Sequence, residues 1–381
     1  MNEKTAMTCF PEMNDIERYT DKYFTRTRKI VEKYGDKKVT YAVFMRRPVV
    51  FAPKIALDWL KSVMDAQGTP VDVKLNYEEG DWIGSGEPMM YVTGSFAALV
   101  EKETLLLQKL GAACVAAYNA SAMCYELPQV DFMAMDARHC AGTQMAELMA
   151  YAAFVGSKSA RKQGAKGFVG TANDATAGLF GLDAGLGTMP HALIGYAGST
   201  LRAAEMFNDL FPEQNLTVLV DYYGREVSDG LEVCRKFKDL ADAGKVSLRL
   251  DTHGGRYVEG LDRAKSYAVL EEYAPDCIRC YRQESELPHL IGTGVSAAAV
   301  WFVRHALDQA GFNKVKIVAS SGFSTEKCRL FKLAHAPVDV IGTGSFLPEK
   351  WSETYATADI VSYDGVKSVK VGREFLLDKM Q

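Results

Sequence analysis

The chain has 381 residues, 48% hydrophobic and 24% charged, enough apolar matter for two or three cored units, which excludes a disordered tail or a small stapled scaffold. Its 44 Lys and Arg against 48 Asp and Glu leave a net charge of -4, so no global positive field draws in nucleic acid or an anionic membrane. An anionic ligand would need local positive sites. No apolar run approaches the roughly 20 residues of a membrane helix, and the N-terminal stretch MNEKTAMTCFPEMNDIERYTDKYF lacks an apolar signal region. The expectation is a cytoplasmic protein.

Eight cysteines (Cys9, Cys114, Cys124, Cys140, Cys234, Cys277, Cys280 and Cys328) are scattered, several inside apolar helical stretches, as thiols in a reducing compartment usually are. Cys277 and Cys280 form a CxxC without a second ligand pair, so ordinary thiols are favoured over a zinc or redox site.

From Ile16 to Leu60 helical and extended patterns mix, and Val71–Val92 alternates around a Gly-rich turn, which predicts two strands. Phe96–Ala120 keeps apolar residues at i, i+3, i+4 and i+7, predicting one long buried helix. These pieces make an α+β unit over residues 1–130. Beyond it, short β-branched runs at Lys166–Gly170, Leu216–Asp221, Val246–Asp251, Val315–Ser320 and Val338–Gly342 alternate with helical stretches at Ala141–Ala165, Ser199–Leu210, Glu226–Ala243, Leu261–Tyr273, Gly294–Ala310 and Ser324–Ala334. Such alternation over 131–350 predicts a parallel sheet, open or closed into a barrel. Over 351–381, Asp359–Phe375 reads as strand, Asp-Gly turn and strand, returning to the N-terminal sheet.

Both sheet types place chemistry beyond the carboxyl ends of the strands. Those ends carry Thr171 and Asn173, Asp221, Arg249 with Asp251, Ser320-Ser321-Gly322 and Gly342-Thr343-Gly344. Glycine-rich turns let backbone N–H groups approach a phosphate, although each alone is also plain turn geometry. Arg249 and Asp251, two apart in a strand, leave the same face and suit a ligand with an anion and sugar hydroxyls; a core ion pair is the alternative. His191, after Met189-Pro190, is a candidate phosphoryl acceptor or acid–base group, or a structural histidine. His253 has the same ambiguity. Arg138-His139 adds local positive charge or is a surface pair, and Tyr23 with Phe24 suits a core, an interface or ring stacking.

Taken in order, Thr20-Asp21-Lys22-Tyr23, Glu79-Gly80-Asp81, Gly86-Glu87-Pro88, Glu103-Thr104-Leu105-Leu106, Arg138, Gly170-Thr171 with Asn173, Gly187-Thr188-Met189-Pro190-His191-Ala192, Arg249-Leu250-Asp251-Thr252, Ser321-Gly322 and Gly342-Thr343-Gly344 resemble the nicotinate phosphoribosyltransferase family over nearly the whole chain. The resemblance implies an N-terminal α+β sandwich domain and an irregular α/β barrel, with the C-terminal strands returning to the first domain. It implies a homodimer or larger assembly with the site at the interface. The reaction it implies joins nicotinate and phosphoribosyl pyrophosphate into nicotinate mononucleotide and pyrophosphate, with Mg²⁺ and coupled ATP hydrolysis, in NAD salvage.

By the same resemblance His191 is the histidine phosphorylated during ATP coupling. Arg249 and Asp251 face the base and ribose-phosphate, with Asp251 near the ribose hydroxyls; Asp221, by its strand-end position and not by the resemblance, is a second carboxylate on the same rim. Ser320, Ser321 and Gly322 with Gly342, Thr343 and Gly344 hold the 5′-phosphate. Arg138 lies near base and phosphates, and Tyr23 reaches across a dimer to stack on the pyridine. No residue is assigned as a metal ligand. Three positions depart from the family pattern: Met135 stands for a common Phe, His139 for a second Arg, and Thr-His-Gly-Gly follows the Arg-Xaa-Asp motif instead of Ser-Gly. The departures keep open another acceptor such as nicotinamide or quinolinate, a variant without ATP coupling, or a non-catalytic phosphate sensor.

Overall fold

The computed structural model describes residues 15–349, 353 and 355–380, so that Cys9 and the start of the segment 351–381 lie outside the described residues. Contacts divide the chain into two units, one comprising Met1–Ser121, Cys140–Lys162 and Leu347–Gln381, the other Ala122–His139 and Gln163–Phe346. Among the described residues no helix is long and apolar enough to cross a membrane.

The first unit is built on a five-stranded antiparallel sheet in the order Val366–Lys367, Ala356–Tyr363, Lys38–Met45, Pro88–Ser95, Val71–Leu75. The C-terminal return is therefore observed: Val39 faces Tyr363 on one side and Gly94 on the other. The turn Asp364-Gly365 has φ of 50° and 81°, the positive-φ pair that an Asp-Gly hairpin accommodates. Its second strand is only Val366–Lys367, and the stretch predicted to continue it instead forms a 3₁₀ turn at Glu374–Leu377. That turn caps the sheet, since Leu376 joins Ala42, Phe44, Tyr91 and Val361 in one apolar cluster and Tyr91 Oη donates to the Leu376 carbonyl at 2.8 Å.

The helix predicted as continuous from Phe96 is also broken, into Phe96–Leu99, a 3₁₀ turn Val100–Lys102 and a helix Glu103–Glu126. The break gives buried Glu101 partners from another element: its carboxylate takes Arg28 Nη1 at 2.5 Å and its carbonyl takes the Thr20 hydroxyl at 2.8 Å. The helix Thr143–Arg161 crosses Glu103–Glu126 at Gly156, where a Cβ would stand 2.5 Å from the Ala117 carbonyl oxygen. Only hydrogen fits at that crossing.

The second unit carries a six-stranded parallel sheet in the order Gly167–Thr171, Asp131–Ala134, Val340–Thr343, Lys316–Ala319, Val246–Leu250, Leu216–Leu219. Each strand pairs with its successor in the chain except Gly167–Thr171 with Leu216–Leu219, and the last strand, Val340–Thr343, pairs with the first, Asp131–Ala134, which is barrel order and not the reversing order of a doubly wound sheet. No ladder joins the two end strands, Gly167–Thr171 and Leu216–Leu219, among the described residues, so the ring has one open seam. The helices begin where side-chain caps permit: Ser199, Asp262, Ser296 and Ser324 each accept the amide three residues on. The strand Asp131–Ala134 is the one barrel strand that the β-branched pattern misses, because Asp-Phe-Met-Ala contains no Val, Ile or Thr.

Candidate active site

A cavity of about 500 Å³ opens at the carboxyl ends of the parallel strands, lined by residues of the second unit alone. Its centre is a closed side-chain network. From the strand Val246–Leu250 and the residue after it, Arg249 Nη2 reaches Asp251 Oδ2 at 2.9 Å on the same face. Arg249 Nη1 donates to Thr188 Oγ1 at 3.0 Å and Nε to Ser320 Oγ at 3.2 Å, while the Ser320 hydroxyl donates to Asp251 Oδ1 at 2.8 Å. Three of the five guanidinium N–H groups are thus used and two remain. Both charged side chains keep 15–17% of their surface exposed, so the pair is fixed by protein yet open to a ligand.

Two turns flank the network on adjacent strands. One is Ser320-Ser321-Gly322, with Ser321 and Gly322 both at positive φ (79° and 65°). The other is Gly342-Thr343-Gly344, where a Cβ at Gly342 would stand 2.6 Å from Met135 Sδ and one at Gly344 2.7 Å from the Met135 carbonyl and from His139 Cδ2. The departures Met135 and His139 therefore pack directly on this turn. Thr343 is buried and its hydroxyl has no protein partner among the described residues, a cost normally offset by a ligand or water. Arg138 and His139, in the 3₁₀ turn Ala137–His139, complete a positive side of the cavity.

His191 is the first residue of the helix His191–Ala197, as Pro190 before it dictates. Its Nε2 lies 3.1 Å from both oxygens of Asp221, which is nearly buried while the imidazole is half exposed. Nδ1 is the ring nitrogen without a protein partner among the described residues. Behind Asp221, Arg256 Nη2 donates to the Asp221 carbonyl at 2.7 Å and to Glu226 Oε1 at 2.6 Å. Glu226 is fully buried and also accepts from Thr252 Oγ1 at 2.8 Å and the Glu259 amide at 3.0 Å. Sequence reasoning missed this support, and the charge of Arg256 right after Gly254-Gly255 was the one signal for it.

Of the predicted site residues, Arg138, His139, His191, Arg249 and Asp251 line the cavity together with both glycine-rich turns. Asp221 lies one layer behind, holding His191. Thr171 and Asn173 do not line it: the Asn173 side chain caps the helix Asp174–Ala177 and the Thr176 hydroxyl donates to Thr171 at 3.0 Å, while Ala172 between them is the lining residue. Tyr23 belongs to the first unit, where it is 61% exposed and borders a separate recess. Thr188, which anchors Arg249, and Phe323 are lining residues that were not singled out.

No family model matches the chain. Nicotinate phosphoribosyltransferase of Bacillus subtilis (strain 168) is 25% identical over 211 residues, which is 54% of this chain and only 39% of that relative, well under two thirds of its length. Among solved structures, nicotinate-nucleotide pyrophosphorylase from Pyrococcus furiosus superposes with a TM-score of 0.71 at 24% identity, covering 96% of this chain and 80% of that one. NadC from Streptococcus pyogenes gives a TM-score of 0.57 at 15% identity, covering 96% and 99%, and human nicotinic acid phosphoribosyltransferase 0.56 at 16%, covering 92% and 75%. The fold is the one these structures share: a mixed α/β chain, here with its five-stranded antiparallel and six-stranded parallel sheets.

Proposed function

We propose that the protein is a phosphoribosyltransferase that joins a pyridine carboxylate, nicotinate first, to phosphoribosyl pyrophosphate, releasing pyrophosphate, with ATP hydrolysis coupled through His191. The observation that carries this reading is the Arg249–Asp251–Ser320–Thr188 network between two glycine-rich turns, one of them holding the unpartnered Thr343 hydroxyl. The turns suit the 5′-phosphate, and the free oxygen lone pairs of Asp251 suit the ribose hydroxyls.

Displacement of pyrophosphate from the ribose anomeric carbon develops positive charge on the sugar, so a fixed carboxylate stabilises the transition state while a bound phosphate holds the ring in place. The spare N–H groups of Arg249, with Arg138, then meet the acceptor's carboxylate or the departing pyrophosphate. We read Mg²⁺ as part of the substrate, arriving with phosphoribosyl pyrophosphate. In the coupled half-reaction an imidazole nitrogen attacks the γ-phosphorus of ATP, ADP departs, and water later cleaves the phosphohistidine to release phosphate. With Nε2 held by Asp221, Nδ1 is the nitrogen left for this role.

Met135 and His139 support a second reading, another acceptor. Where the family has a ring and a second guanidinium beside the base, this chain has a thioether and an imidazole packed on the Gly342–Gly344 turn. One assay tests both: product formation from phosphoribosyl pyrophosphate and Mg²⁺ with nicotinate, nicotinamide or quinolinate, each with and without ATP. Nicotinate mononucleotide formed faster with ATP is the expected result, and His191→Ala should retain uncoupled transfer and lose the ATP stimulation. Product from quinolinate or nicotinamide alone replaces the acceptor; no product from any of the three overturns the activity.

A further inference from the structure

The proposed reaction makes no use of a cation sealed behind one of the phosphate turns. Lys327 is the third residue of the helix Thr325–Leu333, whose Ser324 cap accepts the Lys327 amide. Its side chain is 5% exposed and does not line the cavity; it folds back so that Nζ donates to the Ser321 carbonyl at 2.7 Å. The ammonium stands 4.3 Å from the centre of the Phe323 ring and 5.7 Å from that of Phe331. A buried lysine is uncommon and costs desolvation, so its retention calls for a compensating use.

The turn that it holds is itself strained. Ser321 adopts φ 79°, a left-handed conformation that costs a non-glycine residue on the order of 1 kcal/mol, and Gly322 follows at φ 65°. With the Ser321 carbonyl drawn back to Nζ, the following amide is left on the opposite side of that peptide. We propose that Lys327 is a positioning residue that locks the Ser321-Gly322 turn in its phosphate-receiving form and keeps one positive charge behind it, so that the cavity binds a phosphate dianion by a charge that it never touches. The proposal rests on the reading of this turn as the phosphate site.

The groups facing Lys327 are Asp251 from the end of the neighbouring strand, Cys328 beside it and His289 from the helix Leu287–Ile291, with Glu326 facing His289 in turn. Burial lowers the Lys327 ammonium to about 8, which Cys328 and Asp251 oppose. Burial and the Lys327 charge hold His289 below its ordinary value, so the histidine stays neutral where the lysine titrates. The charge behind the turn is therefore mostly present at pH 7.5 and gone by pH 9.5, an interval in which ribose 5-phosphate, with a second pKa of about 6, remains a dianion and inorganic phosphate only gains negative charge.

Calorimetric titration of the full chain with inorganic phosphate and with ribose 5-phosphate, at pH 7.5 and 9.5, tests this. Wild-type affinity should fall about tenfold across the interval, and Lys327→Met, which keeps the packing on both rings, should bind about tenfold more weakly at pH 7.5 and show no pH dependence. A folded Lys327→Met that binds both probes like wild type overturns the proposal and leaves the phosphate site standing. If that variant does not fold, a pH-independent wild-type affinity overturns it alone. A wild type that binds neither probe at pH 7.5 overturns the phosphate site itself, and the role of Lys327 with it.

Discussion

Each unit carries a recess of about 500 Å³, and the two are built from opposite chemistry. In the second unit the walls are glycine-rich turns, two arginines and an ion pair whose carboxylate is already met by Arg249 and Ser320. In the first unit they are the rings of Tyr23, Phe24, Tyr41, Phe96 and Tyr363 around Glu103 and Asp359, with Lys370 also on the wall. Burial, followed by the negative charges of Asp359 and Asp21, pushes the Glu103 carboxyl up to about 8. Equal volume therefore says nothing about the ligand. We place the anion where cations and glycine-rich turns converge, whereas the first recess sets a protonated Glu103 and an Asp359 paired with Arg373 against a single lining cation among the described residues, Lys370.

Three perturbations sharpen that contrast. The largest effect is expected from Asp251→Asn, which keeps the shape and removes the charge that we propose meets the ribose. We expect kcat/KM for phosphoribosyl transfer to fall about 10²–10³-fold, with the melting temperature little changed because Thr188 and Ser320 still hold Arg249. Steady-state product formation beside thermal melting checks both. Full activity would remove the reaction from this cavity.

Gly344→Ala should act more mildly and on binding. Its Cβ would meet the Met135 carbonyl and His139 Cδ2 at 2.7 Å, and a backbone oxygen cannot swing aside. Overpacking of this kind costs on the order of 1–3 kcal/mol, so phosphate affinity should fall roughly tenfold or more while the barrel stays folded. Unchanged affinity by calorimetry would mean that the turn does not receive the anion.

Much of this cavity was legible because the chemistry sits at strand ends, where period-two patterning and glycine punctuation are strongest. Arg249 and Asp251 share a face by strand geometry alone, and Pro190 fixes where the His191 helix begins. The resemblance supplied the roles, and the seam between Gly167–Thr171 and Leu216–Leu219 needed the three-dimensional pairing. Thr171 and Asn173 look like rim residues by position, yet their hydroxyl and amide close the local cap; sequence cannot tell an N-cap from a ligand contact when both favour the same residue types. Lys327 was invisible for the converse reason. A lysine in the first turn of an amphipathic helix reads as solvated, and only the fold shows its side chain turned back under Ser321.

The smallest expected effect belongs to the acidic recess. Because the folded carboxyl of Glu103 is raised above its unfolded value, folding favours the protonated form, and that contribution is complete below about pH 4.5 and lost as pH rises through about 8. Glu103→Gln replaces the carboxyl with a neutral group of the same shape, so it should match wild type near pH 4.5 and exceed it at pH 8 by on the order of 1–3 kcal/mol, discounted for the part of the side chain that water reaches. Urea unfolding at both pH values measures the gap. A gap that does not widen with pH would mean that the Glu103 carboxyl ionises near its ordinary value in solution, with Lys370 on the recess wall and Arg373 on Asp359 offsetting burial and the neighbouring negative charges.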